Sequence, residues 1–99
     1  MYRKKPQKIT NQDLQFIYGK DYPLFAEKIL PNCFCGVCYK KMGEPTTIAN
    51  YQISIDDLNN VILQGFCGEC GFRVGRYVEI GEIKEYLPRI TQIRSKNKK

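Results

Sequence analysis

The sequence Cys35-Gly-Val-Cys38 returns in closely similar form as Cys67-Gly-Glu-Cys70. In each motif, called a knuckle below, a two-residue gap lets a tight turn direct two sulfur atoms toward one point. Glycine follows the first cysteine of both knuckles, where the backbone approaches the sulfur atoms closely. Because zinc prefers four such ligands in a tetrahedron, the spacing predicts one Zn²⁺ site built by these four cysteines.

Cys33 is the fifth cysteine of the chain. If it replaced Cys35 as a ligand, four residues would separate it from Cys38 and the compact turn would be lost, so we expect a free or locally buried thiol. An odd number of cysteines in paired motifs argues for metal thiolates rather than disulfides. A thioredoxin-like redox site needs one motif at a helix start after a strand, whereas both knuckles are expected at hairpin turns.

Length and composition indicate one small domain. With 99 residues, of which 42% are hydrophobic, the chain can form a thin core that a bound metal would reinforce, and its two ends are expected to be too polar to join that core. No stretch approaches the roughly 18 apolar residues of a membrane span, and polar residues follow the first basic residues where a signal peptide needs an apolar segment. We therefore expect a cytoplasmic protein without a membrane partner.

The net charge of +6 is unevenly distributed. Nine of the 16 Lys and Arg residues lie in residues 1–8 and 89–99, whereas all ten Asp and Glu residues lie in residues 9–88. The two ends thus carry +9 and the remainder −3. Two basic arms on an acidic body favour contact with a polyanion, although solvated ends that aid solubility are an equal alternative.

Two short helices are predicted before the first knuckle. Thr10 is suited to cap the first helix, which we expect to end at Gly19. Pro23 suits the first turn of a second helix that ends near Pro31. Their apolar faces indicate a helical lid over the core.

After the first knuckle, the apolar period changes from about 3.6 to 2 residues. Tyr51, Ile53 and Ile55 alternate with polar residues, residues 56–60 are rich in turn formers, and residues 61–66 are again apolar. The second knuckle forms the next reversal, and residues 72–80 favour a third strand. The pattern predicts a three-stranded antiparallel sheet.

Residues 32–80, with the two knuckles and this strand pattern, resemble the zinc-ribbon superfamily. The resemblance implies that each knuckle sits at a β-turn and that the second opens the last strand of the sheet. Tyr39 departs from it, because many ribbons have glycine after the first knuckle. The predicted fold is a small α+β protein in which a three-stranded antiparallel zinc-ribbon sheet follows short N-terminal helices.

The expected organisation has four parts. These are a basic N-terminal arm (residues 1–9), the helical lid (residues 10–31), the zinc-ribbon domain (residues 32–88) and a basic C-terminal tail (residues 89–99).

A candidate nucleic-acid surface follows the knuckles. If the knuckles meet at one metal, the cations just after them share one end of the sheet and two tyrosines there can stack on bases. The candidate residues are Tyr39, Lys40, Lys41, Arg73, Arg76 and Tyr77. The alternative is that these side chains only pack against the sheet edge or the helices.

Binding to DNA or RNA is the first functional hypothesis, and a zinc-ribbon adaptor that binds a protein partner is the second. The knuckle spacing is also similar to that of rubredoxins, which are iron-containing electron carriers, but the chain lacks Trp and the Gly-Tyr pair after the first knuckle. We expect no enzyme and no small-molecule substrate. The chain contains no histidine, and four cysteine ligands leave zinc no open position for water.

Overall fold

The computed structural model describes residues 6–97, which form four strands, four α-helices and one short 3-10 helix. In chain order they are β1 (Gln7–Ile9), α1 (Asn11–Tyr18), the 3-10 helix (Gly19–Asp21), α2 (Tyr22–Lys28), α3 (Gly36–Met42), β2 (Ile48–Ile55), β3 (Val61–Cys67), β4 (Arg73–Val78) and α4 (Leu87–Asn97). The protein is α+β, as predicted. The sheet has four strands within residues 6–97, so the prediction of three is corrected.

The additional strand is β1, which pairs antiparallel with β2 at one edge of the order β1-β2-β3-β4. Ile9 lies opposite Ile53, and its side chain is buried. The expectation that the basic N-terminal segment stays outside the core is therefore wrong for Gln7–Ile9. A strand of three residues is too short to show the period-2 alternation by which longer strands are recognised.

The predicted hairpin between β2 and β3 is confirmed, and Asp56 explains its turn. One oxygen of the Asp56 carboxylate accepts hydrogen bonds from the N–H groups of Leu58 and Asn60, both at 2.9 Å. Asn59 adopts a left-handed φ of 66°, which asparagine tolerates better than most residues. These contacts reverse the chain within residues 56–60.

A β-bulge interrupts the pairing of β2 with β3. Ala49 lies opposite Phe66 and Gln52 opposite Gln64, so Asn50 and Tyr51 both face the single residue Gly65. Asn50 takes a left-handed φ of 50° there. A side chain at position 65 would come within 2.8 Å of the Tyr51 Cα, which explains the glycine.

The first two helices follow the sequence prediction. The Thr10 hydroxyl accepts from the Asp13 N–H at 3.1 Å, and the Asp13 carboxylate accepts from the Thr10 N–H at 3.0 Å, which forms a capping box. The helix α1 ends at Gly19, whose φ is 57°. Pro23 lies in the first turn of α2, where its missing N–H costs no hydrogen bond.

Helix α4 corrects the expectation that the C-terminal segment is a tail too polar to join the core. Ile90 and Ile93 are 1% and 4% exposed and belong to the hydrophobic core. Pro88 lies in the first turn of α4, where proline is tolerated. The dense positive charge of this segment obscured its short apolar face.

The cations of α4 make internal contacts. Arg89 donates to the Ile17 carbonyl at 2.9 Å, and Arg94 donates to the Asn59 side chain at 2.8 Å. Lys96 forms a salt bridge with Asp13. These contacts attach α4 to α1 and to the β2–β3 turn, so the cations are not a freely available arm.

The sheet has two faces of different character. Its inner face, which includes Ile53, Ile55, Val61 and Leu63, forms one buried cluster with apolar side chains of α1, α2 and α4. Its outer face carries the alternate residues, including the exposed Gln52 and Gln64. No helix within residues 6–97 has both the length and the apolar character needed to cross a bilayer.

Candidate metal centre

The first knuckle lies at the start of a helix and not at the β-turn that the resemblance implies. Cys35 is the N-cap of α3, and its carbonyl accepts from the Tyr39 N–H at 2.8 Å. Gly43 ends the helix in a left-handed conformation with a φ of 69°. The unsatisfied N–H groups of a helix start favour negative charge, so this position suits thiolates as well as a turn would.

The second knuckle connects β3 to β4, as predicted. Cys67 is the last residue of β3, and it pairs with Phe72 through an N–H···O bond of 2.7 Å. Within this turn, the Gly71 N–H donates to the Cys67 carbonyl at 2.9 Å, and Gly71 has a φ of 78°. The turn brings Cys70 back beside Cys67.

A single extended segment joins the two knuckles. Thr46 forms a two-bond bridge with Cys33, with both N–H···O distances at 2.9 Å, and Ile48 pairs with Cys67. The Gly68 N–H also donates to the Thr47 carbonyl at 2.8 Å. Residues 46–48 therefore hold the segment before α3 close to the β3–β4 turn. The four sulfur atoms meet between the start of α3 and that turn.

The four sulfur atoms of the knuckles lie within 4.8 Å of one another. The Cys35 and Cys70 Sγ atoms are 3.6 Å apart, as are those of Cys38 and Cys67. A tetrahedron with metal–sulfur bonds of about 2.3 Å has edges of about 3.8 Å, so these separations fit one ion. They far exceed the length of a disulfide, which is about 2.05 Å. Four cysteines are thus positioned to bind one metal ion.

The electrostatics of the cluster also favour a cation. Burial raises the pKa of the Cys38 thiol to about 12. The hydrogen bond with the Thr46 hydroxyl, at 3.2 Å, lowers the pKa of Cys67 to about 6, and the Glu69 N–H adds a contact of 3.3 Å. Neighbouring thiolates repel one another, so a central cation is needed before all four cysteines ionise together.

Thr46 is a member of the site that the sequence analysis missed. It lies 21 positions before Cys67 and belongs to neither knuckle. Its only sequence signal is a threonine shortly before a predicted strand, which is too common to indicate a contact with a ligand. Its role follows from the β pairing that brings residues 46–48 beside Cys67.

Cys33 lies outside the cluster. Its side chain is fully buried, and its thiol donates to the carbonyls of Ile29 and Leu30 at 3.5 and 3.7 Å. Burial raises the pKa of this thiol. The placement matches the expected locally buried thiol, and Cys35 occupies the ligand position.

The structure divides the six candidate nucleic-acid residues among several surfaces. Tyr39, Lys40 and Lys41 are exposed on α3, where the Tyr39 ring lies 5.2 Å from that of Phe34. Arg73 is exposed at the start of β4 on the outer face. These four residues lie within six positions of a cysteine ligand along the chain, and their part in binding stays a prediction.

Arg76 and Tyr77 are placed differently. Arg76 lies opposite Leu63 on the inner face and donates to the Asn32 carbonyl at 2.8 Å. Tyr77 lies near the other end of the sheet, where its hydroxyl donates to Asp56 at 2.7 Å and accepts from Asn60 at 2.8 Å. Both side chains therefore have structural contacts away from the proposed patch.

Comparison of the chain with protein-family models, with curated proteins and with solved structures finds no match. The metal centre therefore rests on the geometry of the four cysteines.

Proposed function

We propose that the protein is a zinc-ribbon-like module in which Zn²⁺ is structural and the surrounding surface binds nucleic acid. The convergence of four sulfur atoms at tetrahedral separations carries the metal part of this proposal. Four cysteine ligands complete the coordination of zinc and leave no position for water. A role in binding, and not in catalysis, follows from that chemistry.

The metal would connect the start of α3 to the β3–β4 turn through its four cysteine ligands. Structural zinc contributes on the order of 10 to 16 kcal/mol of apparent binding free energy in small domains. That amount is comparable with the whole stability of a domain of this size. The bound ion would therefore decide whether the outer surface is folded at all.

Unpaired cations beside the cysteines support nucleic-acid binding. Lys40, Lys41 and Arg73 are exposed, and the only salt bridge among residues 6–97 is that of Lys96 with Asp13. Cations that form no salt bridge are available to contact phosphate groups. Arg3, Lys4 and Lys5 lie outside the described residues, as do Lys98 and Lys99, and their part in binding stays a sequence-based prediction.

Metal analysis followed by a binding titration tests this function. Protein purified without added metal should contain about one zinc per chain. It should bind fluorescent DNA or RNA of random sequence with an affinity that falls as salt rises. Iron in place of zinc would favour the rubredoxin-like alternative and would be followed by a measurement of redox potential.

The double variant Lys40→Gln/Lys41→Gln locates the binding surface. If both lysines contact phosphates of a single strand, the slope of log affinity against log salt should become less steep by about 1.4. Lys20→Gln/Lys84→Gln removes the same charge from two exposed positions away from the cysteines and should change the slope less. Metal-loaded protein that binds no oligonucleotide at low salt would exclude this function.

A protein adaptor is the second candidate, and exposed apolar residues that flank the first knuckle favour it. Phe34 is 62% exposed, Tyr39 46% and Met42 48%, although all three are large apolar side chains. Such a group is typical of protein interfaces. An apolar interface would be nearly indifferent to salt, which distinguishes the two candidates.

A further inference from the structure

Two adjoining pockets, together called the groove below, lie along the sheet from β4 to β1. The first section encloses about 480 Å³ and is lined by side chains of Asn50, Gln52, Gln64, Phe66 and Arg73. The second section shares Asn50 and Gln52 with the first and reaches Lys8, Ile9 and Asn11. Since neighbouring strands lie about 4.8 Å apart, the groove spans roughly 14 Å.

The bulge in β2 and a glycine in β4 shape the groove. Asn50, which carries the left-handed φ of the bulge, lines both sections. Gly75 lies opposite Gln64 and gives the floor no side chain. A Cβ at this position would be 3.4 Å from the Leu63 carbonyl oxygen, which is ordinary contact, so packing does not require the glycine. Glycine within a strand can mark a place where a ligand approaches the backbone.

The chemistry of the lining is aromatic, amide and basic. The Phe66 side chain is 42% exposed beside the glycine floor, and Gln52 and Gln64 can donate and accept hydrogen bonds. Arg73 stands at one end and Lys8 at the other, and none of the carboxylates within residues 6–97 lines either section. The basic residues are complementary to an anionic ligand, and the exposed aromatic ring is complementary to flat apolar groups on that ligand.

We propose that this groove binds single-stranded nucleic acid, with a base stacked on Phe66 and phosphates at Arg73 and Lys8. The glutamine amides hydrogen-bond the edges of bases. This inference rests on the proposed nucleic-acid function and specifies its surface and strand state. A duplex fits less well, because its base faces are covered by neighbouring bases. An extended peptide would pair with a sheet edge, whereas this groove crosses the strands.

The first test compares three probes on the metal-loaded protein by fluorescence anisotropy. They are a single strand of about 12 nucleotides, within the size of known single-stranded sites, its duplex, and an abasic strand with the same number of phosphates. We expect the single strand to bind at least fivefold more tightly than the abasic strand, because stacking of one base contributes a factor of roughly 5 to 150. The duplex should also bind more weakly than the single strand.

Variants of Phe66 connect this difference to the groove. Phe66→Leu should lower the affinity for the single strand at least fivefold and leave the affinity for the abasic strand unchanged. Phe66→Tyr should keep the affinity for the single strand, because it keeps the aromatic face. Phe16→Leu is the matched control, since Phe16 is 44% exposed on α1 and should not affect binding. Gly75→Thr should fill the floor and weaken single-strand binding at least fivefold while the protein stays folded.

The outcomes separate this inference from the function on which it rests. If no oligonucleotide binds, nucleic-acid binding itself fails. If all three probes bind equally and Phe66→Leu has no effect, nucleic-acid binding stands but the groove is not its site. If an acidic peptide binds with the same dependence on Phe66, the groove belongs to a protein partner and the inference is overturned.

Discussion

The two faces of the sheet use the same four strands for different purposes. On the inner face, Leu63 and its neighbours are buried under three helices, so packing decides which residues fit. On the outer face, Gln64, Phe66 and Arg73 are exposed, and the fold places few demands on them. Packing does not explain the exposed Phe66 ring or the glycine at position 75. These two residues therefore indicate a binding surface, whereas the identity of the inner residues is already explained by the core.

Removing the metal should have the largest effect, because it should unfold the sheet and so remove both of its faces together. We expect Cys35→Ser to lose the ion and to be largely unfolded at 25 °C, because structural zinc contributes on the order of 10 to 16 kcal/mol. Elemental analysis and the dispersion of backbone amide signals in NMR spectra measure the two effects. The control Cys33→Ser should keep one metal ion per chain, since Cys33 is not in the cluster. Native-like dispersion in metal-free protein would show that the sheet folds without the ion.

The ligands were predictable because their signal is local. Two cysteines separated by two residues identify a knuckle without knowledge of the fold, and the structure brings both knuckles to one point. The caps at Thr10 and Gly19 are equally local and were also predicted. Thr46 depends on a contact across 21 positions, for which a single sequence contains no signal.

The elements that were missed lack a clear periodic pattern. Strand β1 has three residues, and α3 begins inside a knuckle that was interpreted as a β-turn. Helix α4 was obscured by its cations, although Ile90 and Ile93 have the three-residue spacing of a helical face. Charge counted along the chain could not show that Arg89 and Arg94 are held in internal hydrogen bonds.

Adjacent residues of β3 give the second comparison of the faces. Leu63→Ala should reduce the free energy of unfolding by about 2 to 5 kcal/mol, because the side chain is fully buried and its removal leaves a cavity. Gln64→Ala on the outer face should change it by less than about 0.5 kcal/mol. Urea unfolding at one fixed concentration of free zinc measures both values, because bound metal adds to apparent stability. Equal losses for the two variants would contradict the assignment of the faces.

The glycines of β3 and β4 sharpen this contrast. In Gly65→Ala, the new Cβ would lie 2.7 Å from the Ala49 carbonyl oxygen, so the bulge must shift and about 1 to 3 kcal/mol of stability should be lost. Gly75→Ala meets only ordinary contact and should be neutral or stabilising by up to about 1 kcal/mol. The same urea titration measures both variants. A loss of stability in Gly75→Ala would mean that the fold itself requires the open floor of the groove.

The smallest expected effect concerns Asp13, which connects the helices that cover the inner face. Burial opposes ionisation of this carboxyl, but hydrogen bonds from Lys96 and Thr10 outweigh it and lower its pKa below the ordinary 3.8. A lowered pKa in the folded state adds stability that is present above pH 3.8 and is lost as the pH falls through the folded value. Lys96 is largely exposed, so most of the effect should come from the helix cap.

Asp13→Asn should therefore cost about 0.5 to 1 kcal/mol at pH 7, and the difference from the wild type should shrink below pH 4. Denaturant unfolding measures this if it is followed across the pH range with metal occupancy checked at each point, since cysteine ligands also bind protons in acid. Asp57→Asn, in the exposed part of the β2–β3 turn, is the control and should show little difference at any pH. A pH-independent cost in Asp13→Asn would mean that the carboxylate acts only through the shape of the cap, because its charge would then contribute nothing to holding α4 against α1.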